Sequence, residues 1–273
     1  MNVYYEHHLK IKQNKLCPFK VAESHNSSIY PVPCNWHNNI EILLVKGGSG
    51  NIQYGKNILP LEKDDIIIVN SGELHRPYSN IELSYCFIII DETFCKENGI
   101  DTAALHFTER FQDAETKRLI INATERMKEY SALQEPLTVA RLRAAMLSLI
   151  IDVASRHSVP LDVKKEVSSP SEEYVKRAIG YINERYSERI ALDDLASLCG
   201  ITKFHLAREF KRITGLTVFT YTNFIRCKQA EMLLSEGKTV TESAYESGFE
   251  SLSYFSRTYK RLMGTSPSKM EGN

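Results

Sequence analysis

The feature that most constrains this chain is a duplication within its last hundred residues. Leu195-Ala196-Ser197-Leu198-Cys199-Gly200-Ile201 is echoed by Ser243-Ala244-Tyr245-Glu246-Ser247-Gly248-Phe249 at an offset of 48. Leu206-Ala207-Arg208-Glu209-Phe210-Lys211-Arg212-Ile213-Thr214-Gly215 is echoed by Phe255-Ser256-Arg257-Thr258-Tyr259-Lys260-Arg261-Leu262-Met263-Gly264 at an offset of 49. Small Ala196 and Ala244 let a second helix cross the first closely. Gly200 and Gly248 can take the positive φ that ends a helix. Ile201 and Phe249 plug the corner, and Thr202 and Ser251 are suited to cap the next helix. Each copy therefore reads as helix, tight turn, helix.

The second helix of each copy has two faces at 100° per residue. Leu206, Phe210 and Ile213 form one apolar stripe, and Phe255, Tyr259 and Leu262 form the other. The opposite sides carry Lys203, Phe204, Ala207, Arg208 and Lys211 in the first copy, and Leu252, Ser253, Ser256, Arg257 and Lys260 in the second. An arginine there can pair bidentately with guanine in the major groove, while serine and lysine suit bases or phosphates. Residues 217–236 read as a connecting helix of roughly 30 Å at 1.5 Å per residue. That is close to the ~34 Å separating successive major-groove faces of B-DNA. The expectation is double-stranded promoter DNA read by two helices of one chain.

The net charge of zero means that DNA binding must come from local charge rather than from a polycation. With 273 residues and 42% apolar content, two cored domains are expected. Met1-Asn2-Val3-Tyr4-Tyr5-Glu6-His7-His8 has no apolar signal core, and the apolar runs at 66–69 and 86–90 are strand-sized, so a cytoplasmic protein is expected. Cys17, Cys34, Cys86, Cys95, Cys199 and Cys227 show no close pairing and read as reduced thiols.

Residues 1–110 read as short strands separated by turns, such as Lys46-Gly47-Gly48-Ser49-Gly50 and Gly55-Lys56-Asn57, which suits a small β-barrel or sandwich. From about residue 111 the period becomes helical. Leu119, Ile120, Ala123 and Met127 mark one helix. Leu142, Met146, Leu149 and Val153 form a seam on a second, suited either to packing inside its own domain or to a homodimer contact. Residues 111–158 are thus expected to be a helical dimerisation or interdomain segment, and 159–171, with two prolines and three serines, a linker. Residues 172–273 carry the two helix-turn-helix units.

Residues 175–270 closely resemble the AraC-type (arabinose-regulator) family of transcription regulators. The resemblance is carried by Ile190-Ala191-Leu192-Asp193-Asp194-Leu195-Ala196, by Phe210 to Gly215, by Ala244 to Phe249, by Tyr254-Phe255-Ser256-Arg257 and by Gly264-Thr265-Ser266-Pro267-Ser268, and Arg226 fits it too. Ser243 and Ser247 depart from it, standing where the family usually has buried aliphatic residues. The resemblance implies promoter binding, often with activation, and hence RNA polymerase as a partner. In the N-terminal part, Asn35-Trp36-His37-Asn38-Asn39-Ile40-Glu41, the glycine-rich turn and Asn70-Ser71-Gly72-Glu73-Leu74-His75 resemble the cupin barrel. Metal-bearing cupins hold their ion with three histidines and a glutamate. Asn35 stands in the first histidine's place here, leaving His37, Glu41 and His75. The incomplete set argues against a metal-dependent isomerase or dioxygenase, so no catalytic residue and no cofactor is expected. Trp36, His37, Glu41 and His75 are read instead as the walls of a small-molecule effector site, with a carbohydrate favoured because an aromatic face beside polar groups suits a sugar. The expected fold class is α+β multidomain: a cupin-like barrel with a helical segment, followed by an all-α domain.

Overall fold

The computed structural model describes residues 19–26, 34–55, 57–79, 82–132, 137–161 and 169–269. Two compact units are present. The first comprises 19–26 and 36–161, and the second 169–269 together with Cys34 and Asn35. Cys17 and most of the expected linker lie outside the described residues.

In the first unit, β1 (Phe19–Asn26), β2 (Ile40–Gly48), β5 (Ile66–Val69), β7 (Leu83–Ile90) and β9 (Arg110–Phe111) form an antiparallel sheet in the order β1-β7-β2-β5-β9. A second antiparallel sheet has the order β4-β3-β6, with β3 at Gly50–Tyr54, β4 at Asn57–Leu61 and β6 at His75–Tyr78. The near-continuous apolar runs of β5 and β7 follow from burial of the larger sheet on both faces. Leu43, Val45, Ile67, Val69, Phe87 and Ile89 pack against Ile52, Tyr54 and Leu61 of the smaller sheet. The alternate residues Ile40, Ile42, Leu44, Ile66, Ile68, Ile88 and Ile90 face the helices.

Those helices are α1 (Glu92–Glu97), α2 (Ala114–Ala132) and α3 (Thr138–His157). The seam Leu142, Met146, Leu149 and Val153 is no more than 4% exposed and packs with Ile120, Ala123, Phe94 and the sheet. This corrects the dimer reading of the seam. Its apolar side is used inside the protomer, because the sheet face it covers would otherwise remain exposed. The proposed linker is also shortened. Ser158–Pro160 forms β10, paired with β8 (Leu105–Phe107), because a strand edge there offers hydrogen bonds to the chain as it leaves α3. At the other end, Pro170 already opens the next helix behind a Ser169/Glu172 capping box.

The second unit contains α4 (Pro170–Arg185), α5 (Leu192–Cys199), α6 (Lys203–Thr214), α7 (Val218–Ser235), α8 (Val240–Glu246) and α9 (Leu252–Met263). The turn chemistry behaves as the sequence implies. Gly200 and Gly248 have φ of 69° and 90°. Thr202 accepts a hydrogen bond from the His205 N–H at 3.3 Å, and Ser251 one from the Tyr254 N–H at 3.4 Å. The glycines differ in surroundings. A Cβ on Gly200 would meet open space, whereas one on Gly248 would lie 2.6 Å from the Cα of Ser187. Ser243 and Ser247 are fully buried. The Ser247 hydroxyl donates back to the Ser243 carbonyl at 2.6 Å, while the Ser243 hydroxyl has no hydrogen-bond partner among the described residues.

Gly200→Ala should therefore cost about 1–2 kcal/mol for the left-handed backbone alone. Gly248→Ala should cost about a further 1–3 kcal/mol for the overlap with Ser187. Ser243→Ala should gain about 1 kcal/mol by removing a buried hydroxyl that lacks a partner. Denaturant unfolding of the full chain checks all three. Equal losses for the two glycine variants, or a loss for Ser243→Ala, would contradict this packing.

Candidate nucleic-acid interface and polar cluster

α6 and α9 are the second helices of the two copies, and each keeps one face in a core. Leu206, Phe210 and Ile213 are buried, and Phe210 meets Tyr221 of α7 edge-on with ring centroids 5.3 Å apart. In the second copy Phe255 and Tyr259 are buried with Phe249, Ala244, Cys227 and Ala230. Leu262 is half-buried.

The outward faces are as the sequence reading placed them. Lys203, Phe204, Arg208 and Lys211 are exposed, and Ala207 is half-buried. Ser253, Arg257 and Lys260 are exposed, and Leu252 and Ser256 half-buried. Phe204 is 79% exposed, which a purely structural phenylalanine would not be. Two of the basic groups already have local partners. Lys203 pairs with Asp193 at 3.0 Å, and Arg208 Nε donates to Glu209 at 3.3 Å. Glu209 chiefly serves Arg212, which donates to it through Nε and Nη2 at 2.9 and 2.7 Å. The hydrogen bond from Arg212 holds the Glu209 carboxyl below its ordinary pKa.

Between α6 and the start of α9 lies a cleft of about 800 Å³. Arg208 and Lys211 of α6, Phe219 and Arg226 of α7, Arg189 and Tyr254 are among its lining residues. The sequence reading overlooked Arg189 and Phe219 as lining groups. Neither lies on a recognition helix, and only the exposure of Phe219, 63%, sets it apart.

In the first unit, the fold brings together three of the four expected effector residues. Strand parity puts Glu41 on the same face of β2 as Leu43, opposite Val69 and Ile89, and thus between the two sheets. His75 begins β6, opposite Tyr54. His37 Nε2 lies 3.1 Å and His75 Nε2 3.2 Å from the same oxygen, Glu41 Oε2. Each Nδ1 lies 3.0 Å from a backbone carbonyl, that of Asn39 for His37 and that of Glu73 for His75. Glu41 and His75 are fully buried and His37 is 8% exposed. Burial pushes the His37 imidazole down from its ordinary pKa, outweighing the Glu41 hydrogen bond that favours its charged form. For Glu41 burial acts in the opposite sense, raising the pKa, yet the two histidines more than reverse it and hold the carboxyl well below its usual range. Trp36 is half-buried and stands beside His37 in the chain.

With this geometry in view, comparison with known proteins places both units. A helix-turn-helix domain model matches residues 195–272, and an AraC-like ligand binding domain model matches 25–146. An uncharacterized HTH-type transcriptional regulator of Bacillus subtilis strain 168, YdeC, is 22% identical over 264 residues, covering 91% of this chain and 89% of that protein. A second B. subtilis regulator, YbfI, is 33% identical over 105 residues, or 38% of each chain. An uncharacterized HTH-type transcriptional regulator of Staphylococcus aureus strain COL is 24% identical over 247 residues, 86% of this chain but 32% of that protein. The chain thus spans about a third of the length of the S. aureus relatives it matches. Among solved structures, ToxT from Vibrio cholerae O395 shares the fold, with a TM-score of 0.50 at 15% identity over 93% of this chain and 98% of that one. The two domain models together span well over half of the chain, which carries an AraC-like ligand binding domain ahead of a helix-turn-helix domain and is similar to proteins named as HTH-type transcriptional regulators.

Proposed function

We propose that the chain is a one-component cytoplasmic regulator whose two recognition helices, α6 and α9, enter successive major grooves on one side of promoter DNA. The carrying observation is the pair of exposed basic faces, Arg208 and Lys211 on one helix and Arg257 and Lys260 on the other. They are joined through α7, whose 18 residues span about 27 Å. Arg208 and Arg257 are assigned to base edges, and Lys203, Lys211 and Lys260 to phosphates. Phe204, Ala207, Leu252, Ser253 and Ser256 supply apolar and short polar contacts. RNA polymerase is the further partner that activation requires. A second protomer, if bound, uses a surface other than the buried seam of α3.

The effector assigned to the first unit is a small polar metabolite. A carbohydrate is the class favoured, supported by half-buried Trp36 beside the polar trio of His37, Glu41 and His75. Signalling requires the effector to bind one arrangement of the protein better than another, and typical coupling of about 1–3 kcal/mol changes DNA affinity roughly 5- to 150-fold. Enzyme chemistry is not part of this reading, since the relatives are named as regulators.

Arg208→Ala and Arg257→Ala should each weaken operator binding by about 1–3 kcal/mol and relax discrimination at one position. Lys211→Ala should weaken all sequences alike and lower the salt slope by about 1. Anisotropy titrations at several salt concentrations check both, and wild-type affinity in both arginine variants would overturn the two-helix reading.

Trp36 is the single tryptophan, so its fluorescence reports on the first unit alone. Titration with sugars and sugar acids should shift that fluorescence, and the ligand's affinity should change when operator is present. A ligand indifferent to Trp36→Phe would place the effector elsewhere, and one indifferent to operator would break the coupling.

A further inference from the structure

The cleft between α6 and the start of α9 combines two surfaces that DNA contact alone does not require together. Its volume of about 800 Å³ lies within the roughly 300–1,000 Å³ of ordinary small-molecule sites. Four lining side chains are cationic, Arg189, Arg208, Lys211 and Arg226, against a single acid, Glu250. Arg226 is committed to the carbonyls of Tyr186 and Glu188, and Arg208 reaches Glu209 and His205. The side chains of Arg189 and Lys211 are exposed and have no hydrogen bond or ion pair among the described residues. Positive charge therefore remains without local compensation at the cleft. DNA phosphates could use that charge, but they would leave the apolar lining idle. Ile190, Leu192 and Val218 are half-buried there, and Phe219 is 63% exposed, its ring centroid 6.4 Å from that of Tyr254. Aromatic rings held beside free cations in a concave place complement an organic anion with a ring system of its own.

We propose that this cleft is a second small-molecule site, selective for an aromatic carboxylate, and that its occupation displaces DNA. Phe219, Tyr254 and Val218 receive the rings. Arg189 is the group suited to hold the carboxylate, since a guanidinium offers it two parallel N–H donors, and Lys211 adds charge. A ligand with rings but no charge would leave the cations uncompensated, and a small anion without rings would leave Phe219 in water. Displacement follows because Arg208 and Lys211 line the cleft and are also the groups assigned to bases and phosphates, so ligand and duplex draw on the same side chains. That part of the proposal rests on the two-helix reading of DNA, whereas the site itself does not. The site lies wholly within the second unit and is separate from the effector position assigned to the first.

The full chain is titrated by calorimetry with biphenyl-4-carboxylate, and with biphenyl-4-carboxamide and acetate as probes lacking the charge and the rings. One carboxylate per chain is expected. The amide should bind about 10–100-fold more weakly, the worth of a hydrogen bond to a charged group, and acetate should not compete. Phe219→Ala and Arg189→Ala change exposed side chains, so both variants should fold, and each should weaken the carboxylate about 10-fold or more. Displacement is measured separately by anisotropy of labelled operator. With the probe at ten times its dissociation constant, the apparent dissociation constant of the operator should rise about 11-fold. No saturable binding by the wild type, equal affinity for the amide or acetate, indifference to both substitutions, or operator affinity unmoved by saturating probe would each overturn the proposal. Binding that shifts Trp36 fluorescence and ignores Phe219→Ala would put the probe in the first unit, with the same consequence. A chain that binds the probe as described but no operator would support the site and overturn the two-helix reading.

Discussion

The middle of α7 has no solvent stripe. Tyr221 to Ile225 and Cys227 to Ala230 are all buried, so the helix serves the first core on one side and the second on the other. It cannot slide or rotate without unpacking both. Its partly exposed Arg226 reaches back to the turn after α4, donating to the carbonyls of Tyr186 and Glu188 at 2.7 and 2.8 Å. Gly248, at the second helix-turn-helix corner, packs on Ser187 of the same turn. Three residues following α4 are thereby gripped by the connecting helix and by the corner of the second helix-turn-helix copy. The separation of the two recognition helices is accordingly a property of a buried rod and one turn, and flexible loops do not set it. Lys228, 3% exposed, pairs with Glu231 at 2.8 Å within this rod, since a buried charged group needs a partner.

The first unit meets a different constraint. A sheet buried on both faces has no room for an uncompensated charge, and Glu41 sits at a position whose neighbours are valine and isoleucine. Desolvation of a lone carboxylate there would cost several kcal/mol. The two histidines come from outside the strand that carries Glu41, one from the loop before β2 and one from β6 of the opposing sheet. The polar cluster therefore ties the two sheets together, and its integrity and that of the surrounding core are the same problem. Asn70 does similar work nearby, accepting from the Phe107 N–H at 2.8 Å and donating to the Tyr54 hydroxyl at 2.8 Å.

The second unit was legible because its determinants are local. Glycine at 200 and 248, small residues at 196 and 244, and caps at 202 and 251 act within a turn of themselves, so their spacing carries the geometry. The seam of Leu142, Met146, Leu149 and Val153 was legible only as an apolar face. Periodicity identifies which side of a helix is buried and is silent about what buries it, here the sheet of the same protomer. The strand at Ser158–Pro160 was hidden because three residues with a proline carry no period, and its partner, β8, lies some fifty residues earlier in the chain. His37, Glu41 and His75 could be listed together from the sequence. That they face one another depends on sheet parity and on the pairing of β6 with β3.

The central claim is that one chain sets two reading helices on one face of a duplex at a spacing fixed by α7. Hydroxyl-radical and methylation footprinting of the full chain on its operator measures this directly. Two protected major-groove segments on the same face, centred about 10–10.5 base pairs apart, are the expected result. A single protected segment, or two on opposite faces of the duplex, would contradict it.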